Sequence, residues 1–102
     1  MREPGELTIA LEEGFTGQHV VVVVDGDVVL DDPEVRTRLQ IGLARSVPVP
    51  LSEGDHAIGV RVDGIERLDI RVDAGVTRWV RIDRAADGGL HAVTGSGLRG
   101  YA

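Results

Sequence analysis

Apolar residues recur at every second position along most of this chain of 102 residues. Leu7, Ile9 and Leu11 share one face of an extended segment, with Thr8, Ala10 and Glu12 on the other. Ile58, Val60 and Val62 alternate with Gly59, Arg61 and Asp63. Leu68, Ile70 and Val72 alternate with Arg67, Asp69, Arg71 and Asp73. Val76, Arg78, Val80 and Ile82 share one parity against Thr77, Trp79, Arg81 and Asp83. A period of two marks a strand with one buried face. Two readings compete over residues 33–45. Asp32-Pro33-Glu34 resembles a helix start, yet Val35, Thr37, Leu39, Ile41 and Leu43 fall on alternate positions, which predicts a strand. The run from His19 through five valines does not alternate. It predicts a central strand covered on both faces, or one whose outer face meets a partner.

Turn signals separate these segments. They include Glu13-Gly14, Asp25-Gly26, Asp31-Asp32-Pro33, Ser52-Glu53-Gly54-Asp55, Asp63-Gly64, Asp73-Ala74-Gly75 and Asp87-Gly88-Gly89. Asp-Gly between apolar runs predicts a two-residue hairpin, because a type I′ turn needs φ > 0 at both central positions. Val47-Pro48-Val49-Pro50-Leu51 lacks two ladder N–H groups, so it is expected at a sheet edge or as an extended connector. Leu90 to Thr94 adds a last strand. Seven or eight strands joined by hairpins, with no crossover helix, predict an antiparallel β-sandwich. Residues 1–94 form its single domain, and residues 95–102, rich in Gly, form a flexible C-terminal tail.

Composition narrows the function. The core is aliphatic, because the chain has one Phe, one Trp, one Tyr and one Met. A net charge of −6 argues against nucleic acid as a partner. All basic residues are arginine, a bias that codon usage produces and that also suits planar bidentate recognition. The absence of cysteine excludes disulfides, thiolate metal sites and Cys nucleophiles. The N-terminus lacks the apolar stretch of a signal peptide, and no apolar run is long enough to span a bilayer. A soluble cytoplasmic protein is expected.

The candidate chemistry is sparse. Asp25, Asp27, Asp31 and Asp32 cluster around the first hairpin and could offer oxygens to calcium, although aspartate is also an ordinary turn residue. His19, His56 and His91 are not spaced as zinc ligands. No serine stands in a Gly-x-Ser-x-Gly elbow, and the Gly-rich Thr94-Gly95-Ser96-Gly97 lacks the Lys of a phosphate loop. No cofactor motif is present, and the chain reads as non-enzymatic. Arg and Asp alternate at Arg61, Asp63, Arg67, Asp69, Arg71, Asp73, Arg81 and Asp83. If these strands pair, opposite charges meet across the ladder. Trp79 belongs by parity to this polar face. Three environments fit it: the core if a bulge flips the parity, a cation–π cover under arginine, or an anchor for a partner.

The stretch from Val22 to Asp83 resembles the PEGA-like and related immunoglobulin-like β-sandwich modules of bacteria. The resemblance rests on Val22-Val23-Val24-Asp25-Gly26, Pro48-Val49-Pro50-Leu51, the run from Ser52 to Gly64, Val72-Asp73-Ala74-Gly75 and Trp79-Val80-Arg81-Ile82-Asp83. It departs at Ile65, where the modules place an aromatic, and in a long insert between Asp32 and Pro48. The resemblance implies an immunoglobulin-like binding or spacer domain and transfers no catalytic residue. The expected function is therefore a non-catalytic protein–protein interaction or assembly module that binds a protein partner or itself. Its binding residues are expected to be Trp79, Arg81, Arg71 and Arg61. A carbohydrate-binding module and a calcium-stabilised spacer domain are the alternatives.

Overall fold

A computed structural model describes residues 5–96. The described chain is all β: β1 (Gly5–Leu11), β2 (Thr16–Val24), β3 (Asp27–Arg36), β4 (Arg45–Leu51), β5 (Asp55–Val62), β6 (Ile65–Asp73), β7 (Trp79–Arg84) and β8 (Leu90–Gly95). They form two four-stranded sheets, ordered β4-β1-β7-β8 and β3-β2-β5-β6. All neighbours are antiparallel except β1 and β7, which run parallel. The hairpins β2–β3, β5–β6 and β7–β8 stay within a sheet, and the remaining connections change sheet. Among the described residues no helix is long and apolar enough to cross a membrane.

The alternation places the core as expected. Ile9, Leu11, Val20, Val22, Ile58, Val60, Val80 and Ile82 are fully buried between the sheets. Burying a Val, Leu or Ile side chain stabilises by about 1.5–3 kcal/mol, so these positions dominate the fold's stability. Both Asp-Gly turns have the predicted backbone. Asp25 and Gly26 have φ of 51° and 86°, and Asp63 and Gly64 have 51° and 82°. Pro48 and Pro50 lie in β4, an edge strand.

Four expectations need correction. The strand expected over residues 33–45 ends at Arg36. The next residues form a turn closed by an Arg38–Leu43 bridge, because the chain must leave the edge of one sheet for the other. Leu39, at 91 % exposure, and Ile41 therefore point to solvent. Asp31-Asp32-Pro33 is not a turn but lies inside β3. Pro33 is tolerated there because β3 is an edge and its register shifts between Asp32 and Val35. Val76 sits exposed in the turn before β7. Gly95, assigned to the tail from the sequence, closes β8, and residues 97–102 lie outside the described residues.

Candidate functional site

The valine strand β2 is central in its sheet, between β3 and β5. Val20, Val22 and Val24 face the core. Val21 and Val23 face outward and are only half-buried, since no described element covers that side. The register sets Asp31 and Arg61 on either side of Val21, and Val28 and Gly59 on either side of Val23. Val28 is itself 60 % exposed. On β5 the outward residues Ala57 and Gly59 are small, so the sheet surface dips there. The resulting hollow holds about 160 Å³ and is lined by Val23, Gly26, Ala57, Gly59, Arg61, Glu66 and Asp69. The hollow thus has an apolar floor of valine and alanine and a rim of mixed charge.

One end of this hollow is tied by ionisable groups. The Asp25 carboxylate accepts from the backbone N–H of Ala57 at 2.9 Å and from His56 Nδ1. His56 Nε2 lies 2.7 Å from the carbonyl oxygen of Ser52. Asp25 thus joins the β2–β3 turn to β5 and, through His56, to the loop before β5. The hydrogen bond from His56 and then that from Ala57 hold the Asp25 carboxyl below its ordinary range. The same bond to Asp25, then that to Ser52, raises the His56 imidazole above its ordinary value.

The residues expected to bind do not form one surface. Arg61 and Arg71 lie on the outer face of β3-β2-β5-β6, where Arg61 stands opposite Glu66 and Arg71 opposite Ala57. Trp79 and Arg81 lie on β7, on the outer face of the other sheet. The condition under which opposite charges would meet along three successive strands is not met: β5 and β6 pair, but β7 is in the opposite sheet. Even between β5 and β6, Asp69 meets Gly59, and Asp73 meets Asp55.

Trp79 takes the cover position. It is half-buried, with the Arg81 guanidinium 5.1 Å from its ring centre. Its ring fills the space above Gly95, where an added Cβ would fall 1.8 Å from Cζ2. Arg81 also reaches to within 3.8 Å of the buried Glu12. Beside it Ala10 is only 2 % exposed although it faces outward, so the neighbouring long side chains hide it.

The four aspartates considered for calcium have separate partners. Asp25 holds His56 and Ala57, Asp31 holds His19 Nε2 at 2.6 Å, and Asp32 accepts from the Glu34 N–H at 3.0 Å. Asp27 pairs in register with Val24 at the start of β3. Among the described residues no group of three or more His, Cys, Asp or Glu is arranged to hold a metal.

Sequence reasoning missed Ala57, Gly59 and the Asp25–His56 tie. Gly59 inside an alternating strand was the available signal, because a strand glycine often marks a close approach. No protein-family model matches the chain, and no curated protein matches it either.

Proposed function

We propose that this chain is a non-catalytic protein-interaction and assembly module, built as an immunoglobulin-like sandwich of the PEGA-like kind. It presents the outer face of β3-β2-β5-β6 to its partner. The observation that carries this reading is the uncovered apolar strip of Val21, Val23 and Val28 beside the hollow over Ala57 and Gly59. An exposed apolar strip rimmed by polar residues has the composition of an interaction site. Arg61, on that rim, and Arg71, opposite Ala57 on β6, supply directional hydrogen bonds to a partner's carboxylates.

The rival readings draw less support. A sugar platform stacks aromatic rings on the carbohydrate face. Here Phe15 is buried and Trp79 is engaged with Arg81 and Gly95. A calcium-stabilised spacer needs converging oxygens, and Asp25, Asp31 and Asp32 have separate partners.

The test compares wild type with Val23→Arg as baits, with captured proteins identified by mass spectrometry and the melting temperature checked in parallel. The expected result is a specific partner other than the chain itself, held by wild type and lost by the variant at unchanged stability. Identical capture by both baits would refute this use of the face.

A further inference from the structure

We infer that β6 is a self-pairing edge, through which two copies of this chain join antiparallel about a two-fold axis at Ile70. The pairing extends β3-β2-β5-β6 of each copy into one continuous sheet. This inference rests on the assembly reading above and adds to it a second contact, the β6 edge, whose occupant is a second copy.

The four sheet edges differ in how they resist strand addition. β3 carries Pro33 and register shifts, and β4 carries Pro48 and Pro50. Proline and bulges are standard protection for an exposed edge. From Leu68 to Asp73, β6 has no proline and an unbroken register with β5. β8 is also unguarded, but Leu90–Gly95 contains no Asp, Glu or Arg that could fix one register over another.

The charges of β6 exclude centres on the charged residues, and the regular stretch from Leu68 to Asp73 favours Ile70 over Leu68 or Val72, whose centres would carry the pairing past its ends. Asp69, Arg71 and Asp73 are exposed on the outer face, and β5 offers Asp69 and Arg71 only Gly59 and Ala57. Asp69 and Arg71 therefore meet no opposite charge across their own ladder. A two-fold axis normal to a sheet must pass where a residue faces its own copy. Centred on Asp69 or Arg71, it sets like charges against each other. Centred on Ile70, it sets Asp69 opposite Arg71 of the second copy, a pair that occurs twice. Directly opposed side chains in an antiparallel pair have Cβ atoms about 4.5–5.5 Å apart, close enough for these charges to interact. The same centre brings the half-buried Ile70 against its copy and Leu68 against Val72 on the core side. β8, which flanks β6 across the sandwich, adds no like charge at the joint.

Sedimentation of the 102-residue chain over a range of concentrations tests this. Wild type is expected as a reversible dimer. Asp69→Arg and Arg71→Asp each turn two attractive pairs into repulsive ones, and each should weaken the dimer about tenfold or more. The double variant D69R/R71D restores opposite charges and should regain dimerisation to within about threefold of wild type. An equimolar mixture of the two single variants should form a heterodimer. In it, positions 69 and 71 are both basic in one chain and both acidic in the other, so opposite charges face each other again. Circular dichroism of each variant checks folding, and the restored double variant excludes simple misfolding. A wild type that stays monomeric, or a dimer indifferent to both charge reversals, overturns the proposal. Val23 lies two strands from this edge, so the failures are distinguishable: a monomeric wild type whose capture of other proteins still depends on Val23 refutes the pairing alone, and a dimer whose capture ignores Val23→Arg refutes the face reading alone.

Discussion

His56 uses both of its ring nitrogens. The Ser52 carbonyl can only accept, so Nε2 donates, and the Asp25 carboxylate then needs a proton on Nδ1 as well. The geometry therefore selects the imidazolium. Asp25 and Ser52 raise the His56 pKa, and Asp55 adds to the effect. His56 lowers that of Asp25, with Ala57 and Arg71 acting in the same direction. The two linkages have opposite signs. A raised imidazole contributes stability that is complete below its unfolded value near 6.5 and is lost as pH rises through the folded value. A lowered carboxyl contributes stability above its unfolded value near 3.8 and loses it as pH falls through the folded value. The tie is thus strongest between those two unfolded values. Urea midpoints of wild type should fall as pH rises above the unfolded imidazole value near 6.5, whereas His56→Gln should lose that slope. At the opposite face, Trp79 reports on its own surroundings because it is the sole tryptophan. Arg81→Ala removes the guanidinium from its ring and should shift the emission to the red. The same variant should cost about 0.5–1 kcal/mol, read from the unfolding midpoint. An unchanged spectrum would mean that Arg81 does not cover the ring in solution.

Among the elements, the central pair β2 and β5 is closed at both ends by the same device. Asp25 donates its N–H to Ala57 O at 2.9 Å and accepts from Ala57 N–H at 2.9 Å. Asp63 donates to His19 O at 2.8 Å and accepts from His19 N–H at 3.0 Å. Each is the first central residue of an Asp-Gly turn, and each clasps the strand beside its own hairpin. The aspartates therefore serve two purposes: they tolerate positive φ and they lock register. Asp63→Val loses both the acceptor and the tolerance of φ 51°, and should destabilise by about 2 kcal/mol or more. Asp63→Asn keeps both and should remain near neutral, and thermal unfolding compares the two. This clasp was half legible in the sequence. Asp-Gly announced the turns because φ > 0 is a local demand, but the reach from Asp63 to His19 spans 44 residues and depends on the pairing of β2 with β5. The segment after Arg36 failed for the complementary reason. Leu39 and Ile41 keep strand periodicity, yet no neighbouring strand is available where the chain changes sheets. Replacing Leu39 by Ser should accordingly move stability by less than about 0.5 kcal/mol, whereas Ile58→Ala in the core should cost about 2–5 kcal/mol.

At the scale of the whole molecule, the two outer faces have been put to different uses. On β7, Trp79 and Arg81 are turned onto the protein itself, against Gly95 and Glu12. On β2 and β5, Val21, Val23 and Gly59 are left without such a cover. The parity of a strand says which residues face outward but not which sheet carries them, so Trp79, Arg81, Arg71 and Arg61 read as one face until the sheet order separates them. That separation makes a testable division of labour. If the uncovered face is the one that meets other proteins, Val23→Arg should abolish their capture with little loss of stability. Trp79→Ala should do the reverse, lowering stability by removing a half-buried ring while leaving capture intact. The sites lie on opposite faces of a two-sheet sandwich whose layers alone are about 10 Å apart, so the stability effects of the two changes should add to within about 0.5 kcal/mol in the double variant. Denaturant unfolding of the four proteins checks the additivity, and capture by each reads out the faces. Loss of capture on Trp79→Ala alone would move the contact surface to the β7 side and reverse the assignment.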